Sequence, residues 1–493
     1  MYDLNNIILN NIISNSIALF HIEYNDIILR NIDVNHIYCI GEGGETSFIN
    51  FDGGETKRNF VIDNLNAKYI ISNGSFIKIK GDYNEVVIKN SNIQKVNSFG
   101  SILEYKGGKR STVDFNNVNF SENENTDKFD CGCIRFKKYV DLTISNSTFY
   151  NNHCKSNGGA ICINKYNGLK LNIKSNIFTN NHAINGGAIY LEDDFKNNND
   201  DGKENVIFEN NIFYGNNAEE FGGAIYSNYQ NLYNETAINN TISYNIANIM
   251  GGGIFAESWF DKNQFNVNNN KIFNNTVNSY INNYTSKPSY ISLDTKISFP
   301  KELSTGDLLP LTFSLHDQYG NIMEDITKYY SSLSIKIELQ QKYDEDDEYY
   351  YDDEYNNYIN SNKEKYKLYG NVGTFIMGKC EMNNFRIYAN PNIYYMNVII
   401  ENFENNHIEL RFNNIEIKVN GCDSNQIKMY DKNGILYCES PKCKSNCPIL
   451  TSASCEAPAK NFEKINDINL NKCVCNPGWL GSYCDIKNYV DLR

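Results

Sequence analysis

Between residues 120 and 273 an apolar anchor returns at a nearly fixed interval. Phe120, Phe149, Phe178, Phe213, Ile242 and Phe273 are separated by 29, 29, 35, 29 and 31 residues. Eight to eleven residues after each of the first five comes a small-residue tetrad: CGCI at 131, GGAI at 158, 186 and 222, and GGGI at 251. NGSF at 73 and FGSI at 99 are weaker versions upstream. The one long interval holds EDDFKNNNDDGKENV, a polar insertion expected on an external loop. One supersecondary unit per period of about 29 residues marks a repeat architecture.

Strand or helix decides which architecture. Seven and five residues before the anchor stand Val113/Phe115, Leu142/Ile144, Leu171/Ile173 and Val206/Phe208. After the small residues come Ile134/Phe136, Ile161/Ile163 and Ile189/Leu191. A spacing of two with polar residues between is the strand period, and no stretch here keeps a helical 3.6 period. Short strands between Asn and Gly corners, in coils of nearly constant length, predict an all-β, right-handed, single-stranded parallel β-helix of the pectin-lyase type over residues 1–287. Coils then stack at about 4.8 Å and like residues form ladders. A propeller blade wants four strands in about 40–45 residues and a leucine-rich array a Leu-x-x-Leu-x-Leu frame; neither fits. In FTNNHAINGGAIYLE, Phe178, Ile189 and Leu191 are expected as core rungs, Gly186 and Gly187 as the corner, and Asn180 and Asn181 as ladder residues.

The FxxN and GGAI pairing resembles the repeats of chlamydial polymorphic outer-membrane proteins, which are surface adhesins. The Asn-rich style and module order are still more similar to the β-helix surface proteins of anaerobic gut fungi. In some of those an EGF-like module and a membrane segment follow, sometimes a seven-helix bundle. The resemblance covers about residues 60–285. It implies a surface ectodomain and says little about the ligand. No autotransporter barrel sequence follows, so the bacterial secretion route is not implied.

Composition agrees with an extracellular role. At 493 residues the chain accommodates two or three domains. A net charge of −14 argues against a nucleic-acid partner, which needs clustered Lys and Arg. No apolar run approaches the roughly 20 residues of a membrane span, so membrane attachment is expected only through residues beyond this chain. The start lacks the basic region of a signal peptide, and both ends read as cut from a longer protein or left by a partial gene model. Eight of the 14 cysteines follow residue 420; that density indicates a disulfide framework and an oxidising compartment. The pairing of Cys39, Cys131, Cys133, Cys154, Cys162 and Cys380 is left open. Seven Asn-x-Ser/Thr sequons, at Asn73, Asn119, Asn146, Asn234, Asn239, Asn274 and Asn283, are glycosylation candidates. A/T-rich codons account for much of the Asn, so the cysteines carry more of this inference.

The period stops after residue 287. LPLTFSLHDQYGNIMEDI, NNFRIYANP, YYMNVIIENF and IELRFNNIEIKV read as short strands of a β-sandwich over 288–420. Its opening resembles immunoglobulin-like modules of surface proteins. The acidic stretch YDEDDEYYYDDEY (343–355) is expected as a solvated loop inside it. Residues 421–487 form a cysteine-rich module, with a linker starting at 488. There CVCNPGWLGSYC resembles the second half of an EGF-like module, with Trp479 in the aromatic slot before Gly481. The resemblance implies Cys475–Cys484 and an upstream partner for Cys473. A consistent completion is Cys443–Cys455 and Cys447–Cys473, with Cys422–Cys438 as a separate clip. The acidic residues of calcium-binding EGF modules are missing before Cys443, so no metal is expected there.

Catalysis finds little support. β-Helix lyases need clustered carboxylates holding Ca²⁺ beside a base, and glycosidases need two carboxylates across one cleft. The nearest approach is Asp114 and Asp141, outward on adjacent coils, followed by Lys170 and Asn172. No catalytic residue, cofactor or metal is expected. His153 and His182 recur at equivalent sites, but Ala218 and Ala247 replace them in later coils, which favours loop histidines over metal ligands. Binding is better supported: Tyr190, Tyr226 and Phe255 follow the tetrad on the face opposite Ile189 and Ile225. They predict an outward aromatic ladder suited to sugar rings. The competing reading is that the ladder stabilises the sheet or lies under a loop. The expected function is a non-catalytic cell-surface ectodomain binding carbohydrate or another surface protein. The alternatives are a membrane-receptor ectodomain and a polysaccharide lyase or hydrolase.

Overall fold

The structure is a computed structural model. It describes the chain apart from residues 42–45, 109, 194–204, 229–236, 257–264, 297–300, 343–365, 403–407, 459–465 and 490–493. The polar insertion, the acidic stretch 343–355 and Asn234 therefore fall wholly or mainly outside the described residues. The chain divides into two compact units: Met1–Ser289 with His316–Tyr329, and Tyr290–Leu315 with Tyr330–Arg493.

The first unit is a β-solenoid. Its parallel pairing starts upstream of the recognisable repeat, where Tyr2–Ser14 lies beside Ile27–Cys39. It continues through Arg58–Ser72, Asn84–Ser98 and Thr112–Ser121. The axial core is built from rungs. Phe120, Phe149, Phe178 and Phe213 pair in register, and Ile242 and Ile272 continue the column. The Phe149–Phe178 and Phe178–Phe213 rings stack at 4.7 Å, 6° and 4° from parallel. Phe273 is not the anchor of its coil. Ile272 takes the rung, and Phe273 pairs with Ser243 and faces out. The coil is one residue shorter than the spacing of aromatics implies.

Two corner positions are occupied in the left-handed backbone region. At one, Asn31, Asn64, Asn90, Asn117, Asn146, Asn210 and Asn239 have φ between 50° and 62°. Left-handed geometry costs most L-residues about 1–2 kcal/mol, and Asn tolerates it because its short amide bonds locally. The glycine pair divides two tasks. Gly186 takes φ +61°, while a Cβ on Gly187 would collide with the Gly223 carbonyl of the next coil.

Beside these corners run two buried amide ladders. In the first, each Asn Nδ2 donates to the Oδ1 one coil on: Asn123 to Asn152 (3.0 Å), Asn152 to Asn181 (2.9 Å), Asn181 to Asn216 (2.9 Å), Asn216 to Asn245 (2.9 Å) and Asn245 to Asn275 (2.8 Å). Asn283 ends the series at 3.1 Å. The second runs Asn176, Asn211, Asn240, Asn270. In the middle of the first ladder the amides are fully used. The other Nδ2 hydrogen of Asn181 reaches the Phe149 carbonyl, and its Oδ1 also accepts the Asn152 backbone N–H. Asn181 and its ladder neighbours have no exposed surface, so a buried column of polar groups is tolerated because every member is bonded. Asn180 has no place in it. With φ 54° it is a corner residue, and Asn181 alone is the ladder member.

The DQYGN turn belongs with the solenoid. Asp317 is fully buried and accepts hydrogen bonds from Thr285 Oγ1 (3.0 Å), Ser286 N (3.3 Å), Asn321 N (2.8 Å) and Asn321 Nδ2 (3.1 Å). Tyr319 packs edge-on to Tyr284 at 5.0 Å.

After the solenoid the strands form two larger sheets and several two-stranded ones, among them Tyr366–Tyr369 with Arg386–Ala389. One larger sheet contains Pro288–Leu293, Leu311–Asp317, Lys379–Met382 and Glu409–Leu410; the other contains Lys301–Ser304, Ser334–Gln341, Val372–Thr374, Asn392–Glu401 and Ile415–Asn420. Alternate residues are buried, as in Leu311, Phe313 and Leu315, or Ile415, Ile417 and Val419. The C-terminal region holds Cys422–Cys438, Cys443–Cys455, Cys447–Cys473 and Cys475–Cys484. Three of these bonds surround a small cluster of Cys447, Cys484 and Ala453, against which Trp479 packs. Disulfides commonly supplement cores of this size.

Candidate functional site

The column of Tyr190, Tyr226 and Phe255 is in register with Cys162 and Arg135 before it. Neighbouring rings stack at 4.8 Å (16°) and 5.6 Å (23°). They are not, however, a surface. Tyr190 and Tyr226 are 8% exposed and Phe255 2%. Phe221 packs on Phe255 at 4.6 Å, and Tyr329 lies edge-on to Phe221 at 5.2 Å. Strand alternation places these side chains outside the axial core, but other aromatic rings cover the end of the column. The expected sugar platform is therefore a second, lateral core. Its upstream end is closed covalently, because Cys162 bonds Cys131 of the preceding coil, and Arg135 pairs with Asp130.

Exposed rings lie elsewhere. Tyr214, Tyr244 and Phe273 occupy successive coils and are 47%, 49% and 41% exposed. Tyr214 and Tyr244 are 5.5 Å apart and tilted by 54°; Tyr244 and Phe273 are 6.0 Å apart at 80°. Tyr244 sits in the second corner column, where Asn151, Asn180, Gly215 and Asn274 stand in other coils, and has φ 57°. Bulky residues hold the same column in earlier coils, where His36, Tyr69, Lys95 and Glu122 have φ between 52° and 56°. Spacing alone puts Phe273 at a core anchor position, which hides this group in the sequence. Tyr244 was the available signal, an aromatic where the coils on either side carry Gly215 and Asn274.

The remaining candidates are dispersed. Asp114 pairs with Thr143, while Asp141 pairs with Lys170 and makes a 3.6 Å ion pair with it. Partial desolvation raises the Asp114 carboxyl above its ordinary range. The two carboxylates lie diagonally on one sheet face. His153 and His182 meet edge-on at 4.7 Å. Burial, then the neighbouring His153, hold His182 below the usual imidazole range, against Glu219 at 3.8 Å. Among the described residues no group of three or more His, Cys, Asp or Glu could hold a metal ion.

Asn73, Asn119, Asn146, Asn239 and Asn274 are exposed, whereas Asn283 is half-buried and its amide ends the first ladder. Cys39, Cys133, Cys154 and Cys380 are buried free thiols. Burial pushes Cys39 and Cys154 up to about 11 and Cys380 to about 12, the direction of unreactive thiols. Among the described residues no helix is long and apolar enough to cross a membrane.

No family model matches this chain, and no solved structure matches it. It is similar to a transmembrane domain-containing protein of Dictyostelium discoideum, 32% identical over 119 residues. That stretch covers 24% of this chain and 6% of the relative, so the chain matches a small part of a much longer protein.

Proposed function

We propose that the chain is a non-catalytic extracellular ectodomain that presents a rigid β-solenoid at a cell surface for adhesion or ligand binding. The disulfides carry this reading. Four bonds hold the C-terminal region, and Cys131–Cys162 joins two coils of the solenoid. Such bonds persist in oxidising compartments. The exposed sequons are consistent with it. In this reading the solenoid is right-handed, as parallel crossovers nearly always are, the two larger sheets form an Ig-like sandwich, and residues 421–487 an EGF-like module. The ligand is carbohydrate or another surface protein, bound at a site other than the covered Tyr190 column.

A second reading, a membrane-receptor ectodomain, is favoured by the transmembrane domain in the relative's name. Surface biotinylation of intact cells tests the shared premise. Labelled full-length protein supports it, and protection until the cells are lysed overturns it. Polysaccharide cleavage that Asp114→Asn and Asp141→Asn abolish would replace both readings with the enzymatic one.

A further inference from the structure

We propose that Asn274 carries an N-linked glycan whose first sugars lie on the exposed rings of Tyr244 and Phe273. The inference rests on the extracellular reading and adds a specific, intramolecular carbohydrate site to it.

Asn274, Asn275 and Thr276 form a sequon. Asn274 is an exposed corner residue with φ 54°, directly after Phe273. Because Ser243 pairs with Phe273, Tyr244 holds the corner one coil before Asn274, about 4.8 Å away along the axis. A sugar linked to Asn274 Nδ2 thus begins beside both rings. The rings differ from the core stack: Phe149, Phe178 and Phe213 lie nearly parallel and hide their faces, whereas Tyr244 and Phe273 are 80° apart. That tilt leaves π-surface open to the apolar face of a pyranose. Tyr244 also adopts a left-handed backbone that Asn or Gly fills more easily and stays half exposed. Tyr69 holds the same corner column with φ 56°, stacked on His36 and under Lys95, so an aromatic there goes with a neighbouring group that covers it; at Tyr244 the covering group is the glycan.

The attachment is group transfer from a lipid-diphosphate-linked oligosaccharide. The anomeric C1–O bond to diphosphate breaks, the C1–N bond to Nδ2 forms, Nδ2 loses one proton, and the lipid diphosphate leaves.

The test is glycopeptide mass spectrometry on full-length protein secreted from a eukaryotic host, followed by melting before and after enzymatic deglycosylation of the folded protein. Wild type and a Tyr244→Asn/Phe273→Ala variant are compared; both side chains are exposed, so the variant keeps its core. Occupancy of Asn274 is expected, with Tm falling by about 2 °C on deglycosylation of wild type and not of the variant. An unoccupied Asn274 beside glycosylated Asn73, Asn146 or Asn239 overturns the inference and leaves the extracellular reading standing. Equal Tm changes in both proteins overturn the packing. If Ile212→Lys removes the effect as fully as the ring substitutions do, the surface is a general apolar one and the sugar-stacking proposal fails. Retention in the cytosol with every sequon bare overturns both the inference and the reading.

Discussion

Asn181 donates from Nδ2 to Asn216 Oδ1 at 2.9 Å, and the same oxygen accepts the Asn181 backbone N–H at 3.0 Å. Residues 35 apart in sequence are thus joined by two hydrogen bonds inside a buried column. The bond pair repeats from coil to coil, so it fixes axial register as well as contributing stability.

Asn216→Ala leaves both donors of Asn181 without their acceptor. The expected loss is about 3 kcal/mol, from two buried unsatisfied groups at roughly 1–3 each. Denaturant unfolding measures it. Asn180, one residue before Asn181, behaves differently: Asn180→Gly is near neutral, and Asn180→Ala costs about 1 kcal/mol through its left-handed backbone.

Tyr226→Ala removes the middle ring of a buried stack. A loss of about 3 kcal/mol is expected, with cooperative unfolding preserved. A surface role would leave stability unchanged within about 0.5 kcal/mol, so the same denaturation series decides whether the column is core.

Cys131→Ser/Cys162→Ser removes the clip between coils. The sequence separation is 31 residues, for which chain entropy gives a stabilisation of about 3.7 kcal/mol. The variant should melt lower than wild type in oxidising buffer, and the two should match once both are reduced, since reduction also opens the four C-terminal bonds. A difference that survives reduction would place the effect in packing instead.

Asp317→Asn exposes how the DQYGN turn is held. Four donors converge on the carboxylate, and an amide substitutes a fifth donor for one acceptor. A loss of about 2 kcal/mol is expected near neutral pH. Burial raises the carboxyl despite these bonds, so the folded state keeps its proton to a higher pH than the unfolded one. Wild-type stability from this group therefore rises as pH falls through the window between the unfolded and folded values. Asn lacks that titration, so the gap between the two proteins should widen there.

Much of the solenoid was legible because one coil repeats the task of another. Phe149, Phe178 and Phe213 announce their rung by spacing, and Gly186 and Gly187 their corner by type. The first coils were harder to read, since Val34 and Ala67 hold the rung without an aromatic or a GGAI tetrad. The slip at Phe273 has the same origin: adjacent Ile272 satisfies the rung equally well, and only the pairing with Ile242 separates them. Side-chain direction at Tyr190 was readable from alternation, but its burial was not. At the Phe255 end of the column cover comes from Phe221, backed by Tyr329, and Tyr329 lies outside the periodic sequence. The glycan surface was hidden twice, because Phe273 passed for core and corner Asn is too common to mark a site.

The extracellular, disulfide-locked solenoid is tested most directly by non-reducing peptide mapping of protein purified from its own cells under thiol-blocking conditions. The account predicts a disulfide-linked peptide pair joining Cys131 to Cys162, alongside the four C-terminal pairs, with Cys39 and Cys380 recovered as blocked thiols. Recovery of Cys131 and Cys162 as blocked thiols in folded protein would contradict it.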